Sequence, residues 1–369
     1  MHALKMLRGL GLLVGMIIGA GIFALPYAVS EAGFIWSGIH FAVVAVIVTL
    51  VHILYGNILY DHPEHHRLPG YIRSSFGKWA AGLALISRLF SYYGSLLAYG
   101  ALAGTFLSFF NKWASEFEAG IYFFLAISFL LFLNLKRAGT INFLLTVPLV
   151  IFPFVLSWFI FSRGDFNALQ FLPERSNWFL PYGIFLFAMS GASVIPEVVE
   201  TLGRKKRSIF RGVVILGTLV VSLVYIVFTI TILSVAGSHV PKDALSVLRQ
   251  FDGGVLLPLG VVIGLLAIAT SHLALGLELR YTFEYDLFLK KKFSWALVTF
   301  VPLILFTLGF NDFVLVISFI GAIGIGVEGI LITLLSRKVS RTNIILVSAL
   351  LIIFVAGALF EIVNILGYI

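Results

Sequence analysis

The chain has 369 residues, of which 60% are hydrophobic and 11% charged, and its mean hydropathy is +1.07. Soluble domains carry about 25% charged residues, so water is excluded as the main solvent. No cysteine occurs, which excludes disulfides, thiolate nucleophiles and thiolate metal sites.

Apolar stretches of about 20 residues, enough to cross a hydrocarbon core of about 30 Å, recur about eleven times. In chain order they are 8–30, 34–60, 79–110, 119–135, 141–162, 178–202, 209–236, 253–285, 293–310, 312–336 and 343–368. The first resembles a signal peptide, but its apolar run continues past a typical cleaved segment and reads as a span. Backbone polar groups in lipid must be satisfied within the segment, and runs this continuous favour helices over alternating strands. The expected fold class is therefore an all-α membrane protein. The connections are too short to hold a second core, which predicts a single transmembrane domain over 1–369.

With the N-terminus placed in the cytoplasm, eighteen of the 25 Lys and Arg fall on that side, including Arg204 to Arg207 and Lys290 to Lys292. Five fall opposite, and Arg88 and Arg280 lie inside spans. The positive-inside rule then sets the orientation and leaves the C-terminus extracytoplasmic. The net charge of +8 and a pI near 9.6 report this topology rather than a nucleic-acid-binding face.

Span one contains Gly21-Ile-Phe-Ala-Leu-Pro26 followed by Gly33. Span six contains Gly191-Ala-Ser-Val-Ile-Pro196 followed by Gly203. Both read G-x-x-x-[LI]-P-x6-G. The copies lie 170 residues apart and five spans apart, and an odd number of spans inverts one relative to the other. Inverted-repeat transporters bind substrate at the midplane, between discontinuous helices broken at Gly or Pro. Gly19-Ala20-Gly21 with Pro26, and Ser190-Gly191-Ala192-Ser193 with Pro196, weaken the helical ladder in this way. Freed amides suit a carboxylate, and freed carbonyls an ammonium or a cation. In the series Gly11, Gly15 and Gly19, close helix packing is the favoured role for Gly11 and ligand binding for Gly19 and Gly21.

The run Gly15-Met-Ile-Ile-Gly-Ala-Gly-Ile-Phe-Ala-Leu-Pro26 resembles the first-helix signature of the amino acid-polyamine-organocation superfamily. Phe187-Ala-Met-Ser-Gly-Ala-Ser-Val-Ile-Pro-Glu197 resembles its sixth. Within it, the chain looks most like the hydroxy and aromatic amino acid permeases and the amino acid/auxin permeases. The resemblance implies the leucine-transporter fold, with a first repeat over about 8–162, a second over about 178–336 and an additional helix at about 343–368. It also implies that the amides of Gly19, Ala20 and Gly21 hold a substrate carboxylate. Carbonyls near Ile17, Leu186 and Phe187 would receive the ammonium, and Phe187 would cover the side chain. Ser193 stands where some cationic-substrate relatives carry an acid, which favours a neutral substrate. Ala192 leaves room for a large one, and Tyr92, Tyr93 and Tyr99 are candidates to line or gate the pocket.

Span eight places Ala267, Thr270 and Ser271 at i, i+3 and i+4, on one helical face. Oxygens so placed suit a hard cation. The pattern resembles half of the sodium site of sodium-coupled relatives, whose other half would be the carbonyls of Gly15 and Ile18. The bland reading is that these hydroxyls bond back to their own helix. Some proton-coupled relatives carry a span-five lysine, and residues 141–162 have no Lys or Arg. Sodium is therefore the leading expected coupling ion and H+ the alternative, with symport or exchange open.

His52, Arg88, Glu197, Glu200, His272, Glu278, Arg280 and Glu328 are ionisable positions inside spans and candidates for function. Glu197 and Glu200, at i, i+3, could carry a proton or latch an inner gate. Asp61-His62-Pro-Glu64-His65-His66 is the one metal-like cluster, which makes an integral-membrane metal-dependent hydrolase the runner-up from another class. Broken helices and hydroxyls favour a transporter over that enzyme, and over a channel.

Overall fold

The structure, a computed structural model, describes residues 2–62, 67–110, 114–133, 138–160, 164, 177–203, 206–236, 239–250 and 254–365. Among them the regular structure is entirely helical. The long helices are α1 (His2–Ile17), α2 (Leu25–Asp61), α3 (Leu68–Phe76), α4 (Lys78–Ser108), α5 (Glu116–Leu133), α6 (Ala138–Ile160) and α7 (Leu180–Met189). They continue as α8 (Ile195–Leu202), α9 (Arg207–Ala236), α10 (Leu256–Tyr281), α11 (Lys291–Thr307), α12 (Phe313–Phe319), α13 (Gly326–Val339) and α14 (Ile344–Ile365). Joined across their breaks, with α2 divided at Gly33, where the backbone leaves the helix, and α3 set apart, these give the eleven expected spans among the described residues. α3 is an additional short helix in the connection between spans two and three.

Why the chain breaks where it does follows from glycine and proline. α1 ends at Ile17, a 3-10 turn covers Ala20–Ala24, and α2 starts with Pro26 in its first turn, where the missing amide costs nothing. α7 ends at Met189, a 3-10 turn covers Ala192–Val194, and α8 starts with Pro196 in its first turn. Gly33 (φ +75°) and Gly203 (φ +90°) then close the two copies in the left-handed region that side chains avoid. The sequence repeat is thus also a conformational repeat. Span ten is interrupted too, by a π segment at Ile320–Ile325 between α12 and α13.

Among the described residues, six segments are long and apolar enough by themselves to cross a bilayer, including Ala20–Asp61, Arg207–Ala236 and Ile344–Asn364. The exterior suits lipid: Leu83, Ile86, Phe129, Leu219 and Ile352 are each 61–67% exposed. Spans one and six lie together at the centre. α1 packs on α9 and α8, while α7 packs on α2 and on the π segment of span ten. α14 is tied to span ten by Ser318, whose hydroxyl donates to the buried Glu361 carboxylate at 2.7 Å.

Buried charge is concentrated in a few places. Arg280, 1% exposed, donates to Leu131 O at 2.7 Å and pairs with Glu284 at 3.0 Å. Arg88 on α4 pairs with Glu278 on α10 and donates to Tyr92 Oη. Asp61, part of the metal-like cluster, accepts instead from Arg207 and from the Ser340 hydroxyl. Residues 63–66 of that cluster lie outside the described residues.

Candidate functional site

The helical ladder of α1 runs to the Ile18 amide, which donates to Val14 O at 2.9 Å. The next bond across the break is Ile22 N–H to Gly19 O at 3.4 Å. The carbonyls of Gly15 to Ile18 therefore leave the ladder, and the amides of Ala20 and Gly21 open the 3-10 turn without partners behind them. In span six, Ser190 N–H donates to Phe187 O at 3.3 Å and Val194 N–H to Gly191 O at 3.2 Å. Leu186 O, Met189 O and the Ala192 and Ser193 amides are left outside the ladder.

The two breaks touch. A Cβ on Gly21 would lie 2.7 Å from Ala188 Cα, and one on Gly191 would lie 2.7 Å from Ile17 Cγ1. Only glycine lets the strands of broken backbone approach this closely.

A cavity of ≈ 60 Å³ opens beside the crossing. Ile17, Gly19, Ala20 and Gly21 line it from span one, and Phe187, Ser190 and Ser193 from span six. Tyr92 and Tyr99 come from α4, and Glu328 from α13. Leu186 and Ala192, with Ser190, instead line a smaller adjoining cavity. Tyr93 belongs to neither. Its hydroxyl donates to Leu297 O at 3.3 Å and its ring lies near Phe283. Tyr93 is turned about 100° from Tyr92 around α4, on the side away from Ser91, which lines the cavity with Tyr92.

The α4 wall is chemically one-sided. Ser91 Oγ donates to Ser87 O at 3.0 Å and Ser95 Oγ to Ser91 O at 2.7 Å. Both protons point back along the helix, so toward the cavity these serines offer lone pairs only.

In span eight, Thr270 Oγ1 donates to Leu266 O at 2.9 Å and to Ala267 O at 3.0 Å, the back-bonding of the bland reading. That bond uses the hydroxyl proton and leaves oxygen lone pairs for a cation, so the two readings are compatible. Ser271 Oγ lies 3.3 Å from where a Gly19 Cβ would sit, against the span-one break. Glu197 and Glu200 are exposed on α8, with Arg67 within electrostatic reach of Glu197. His272 is packed among Phe123, Phe124 and Tyr99, as a core histidine would be.

Two residues at the breaks were not anticipated in their roles. Tyr225 on α9, fully buried, reaches Ile17 O at 2.9 Å and Ala188 O at 2.8 Å and so ties both breaks together with one hydroxyl. His52 Nε2 on α2 accepts from the Gly191 amide at 3.1 Å. The usable signal for Tyr225 was its type: a buried tyrosine hydroxyl needs a partner, and in an apolar span that partner is freed backbone. Tyr225→Phe removes the tie and leaves a buried carbonyl unsatisfied, a cost of about 1–3 kcal/mol. We expect a lowered thermal midpoint in detergent together with several-fold weaker substrate binding. An unchanged midpoint and affinity would remove Tyr225 from the site.

Paired broken helices, inverted with respect to each other and meeting at a buried cavity, define a secondary transporter of the leucine-transporter fold. The chain belongs to the tryptophan/tyrosine permease family, whose model matches residues 2–335. It is a secondary amino acid transporter of the membrane, not an enzyme. Among solved structures it is similar to MhsT in complex with L-phenylalanine, at TM-score 0.71 and 13% identity over 97% of each chain. It is also similar to Mhp1, a nucleobase-cation-symport-1 family transporter, closed with bromovinylhydantoin bound (TM-score 0.64, 14% identity, 88% of this chain and 76% of that chain). Against inward-facing Mhp1 the values are 0.66, 14%, 90% and 76%. At these identities the likeness concerns the fold alone. No curated protein matches the chain.

Proposed function

We propose that the chain is a sodium-coupled symporter of a neutral aromatic amino acid. The single observation that carries the substrate reading is the cavity at the crossing of the two breaks, where backbone groups without ladder partners meet a ring-bearing wall. The Ala20 and Gly21 amides take the substrate carboxylate, and Leu186 O, a carbonyl outside the ladder about one turn before the break, takes the ammonium. Ile17 O and Phe187 O contribute less, since Tyr225 and the Ser190 amide already donate to them.

Phe187, Tyr92 and Tyr99 supply apolar surface for a ring. The lone pairs of Ser91 and Ser95 face the same space and favour a side chain carrying an N–H or O–H donor over plain phenyl. Indole and phenol side chains meet both demands, in keeping with the family's name. MhsT, at fold-level likeness, holds L-phenylalanine.

For sodium, the proposed ligands are the carbonyls of Gly15, Ile18 and Ala267 with the hydroxyls of Thr270 and Ser271. In support, the span-one carbonyls lie outside the ladder and Ser271 sits against Gly19. Binding there joins α10 to the span-one break and so favours the substrate-ready arrangement of Gly19 to Gly21. Glu197 and Glu200 act at the cytoplasmic end as a latch toward Arg67, with the N-terminus inside and the C-terminus outside, in one transporter domain.

Thr270→Ala is the test of the ion site. It should raise the sodium concentration for half-maximal uptake about tenfold or more, with little change in affinity for substrate at saturating sodium. An unaltered sodium dependence would sink the assignment.

A further inference from the structure

A second concavity, of ≈ 320 Å³, lies between spans one, two, six and seven, with Val29, Phe41, Phe185 and Ile226 on its walls. That is within the about 300–1,000 Å³ of small-molecule pockets. No charged side chain lines it, and its polar side-chain groups are the hydroxyls of Ser37, Tyr225 and Thr229. Gly38 and Ile226, which line it, are exposed, as are Ile35, Ile39, Val43 and Leu223 beside them on α2 and α9. The groove is therefore continuous with the apolar exterior that faces lipid, and its occupant comes from the bilayer.

Tyr225 Oη is already engaged within the protein, by Ile17 O and Ala188 O. The Ser37 hydroxyl is not. A serine in a helix ordinarily donates to the carbonyl four residues back. For Ser37 that residue is Gly33, at φ +75° and ψ +162°, where the backbone leaves the helix. Ser37 is 3% exposed, and its Oγ has no hydrogen-bond partner among the described residues. A buried hydroxyl without an acceptor is costly, so Ser37 calls for one from whatever fills the groove it lines.

Depth identifies that acceptor. Ser37 stands four residues after Gly33, about 6 Å along the helix from the start of span two. Its neighbour Trp36 lies against Trp178 at the start of span six, with ring centroids 5.4 Å apart. Tryptophans at span ends mark the membrane–water interface. There the acyl chains join their headgroups, and the acceptors at that level are the ester carbonyls of the lipid. From Ser37 the groove runs inward to Tyr225, halfway along α9, which is the course of an acyl tail in one leaflet.

We propose that this groove binds one diacyl phospholipid of the leaflet opposite the N-terminus. Ser37 Oγ donates to an ester carbonyl, and an acyl tail lies between Phe41, Phe185 and Ile226. The tail packs on Tyr225 from the membrane side while the Tyr225 hydroxyl holds Ile17 O and Ala188 O, so the lipid braces both breaks. The site stands on the groove and on Ser37, and does not depend on what the central cavity binds.

The test is native mass spectrometry of the purified full chain, delipidated and then titrated with dioleoyl phosphatidylglycerol or with the diether lipid of the same headgroup and tails. The diether lacks the carbonyls and keeps the rest. We expect one diester lipid to be retained per chain, about fivefold more tightly than the diether. Ser37→Ala should bring the two lipids level. A Cβ at Gly38 would meet nothing within 4 Å, so Gly38→Trp can fill the groove while the chain keeps its fold, and should remove the retained lipid. Equal retention of both lipids by the wild type, or retention of the diester that neither variant alters, would overturn the proposal. So would a second copy of the chain in place of the lipid in the same spectra.

Discussion

Gly21→Val should abolish uptake. The added Cβ would meet backbone, at 2.7 Å from Ala188 Cα, and Ala188 Cβ at 2.8 Å, with Phe187 Cδ1 at 3.4 Å. Contacts under 3.0 Å to main chain cannot be relieved by turning a side chain, so the two breaks must separate. The cavity walls at Gly21, Phe187 and Ala188 then move as a unit, and Tyr225 can no longer reach both Ile17 O and Ala188 O. A loss of substrate affinity of at least about 100-fold is expected, about 2.7 kcal/mol. Labelled amino acid binding to protein that still elutes as a single species in detergent is the measurement. Binding near the wild-type level would show that the crossing of the breaks is not the substrate site.

The second large effect is on stability. Arg88 is 7% exposed, donates to Glu278 and to Tyr92 Oη, and lies over the Tyr92 ring. Arg88→Met leaves the Glu278 carboxylate within the span with no guanidinium opposite it. Breaking a buried pair from one side costs about 3–5 kcal/mol, whereas replacing both partners by apolar groups is often close to neutral. Arg88→Met should therefore lower the thermal midpoint sharply, and Arg88→Met with Glu278→Met should recover most of the loss. A double variant as unstable as the single one would mean that the cost lies in packing against Tyr92 or in Glu328, which faces the same guanidinium, rather than in Glu278.

The importance of Gly21 is local: the G-x-x-x-[LI]-P-x6-G spacing places a weak ladder, a proline in the first turn and a left-handed glycine in order along one strand of sequence. The structure gives the same series twice, ending at Gly33 and Gly203. Continuous apolar length likewise made the spans legible, because lipid forces each one to satisfy its own backbone.

What was not legible is long-range pairing. Tyr225 meets Ile17 across 208 residues and His52 meets Gly191 across 139, and no local period encodes such partners. The short helix α3 was missed because it is amphipathic and too short to register as a span. The π interruption of span ten carries glycines at Gly321 and Gly324 but no proline, so nothing separated it from an ordinary packing face. Tyr93 shares span three with Tyr92 and Tyr99, and only its partners Leu297 and Phe283, distant in sequence, show that it faces away from the cavity.

The central claim is that substrate binds where the two broken helices cross and moves with a coupling ion. Uptake of labelled tryptophan and tyrosine into proteoliposomes, under an inward sodium gradient and then under an inward proton gradient in sodium-free buffer, tests it most directly. The expected result is sodium-driven accumulation above the equilibrium level in the wild type and none in Gly21→Val. Absence of accumulation under either gradient, or equal accumulation by Gly21→Val, would contradict it.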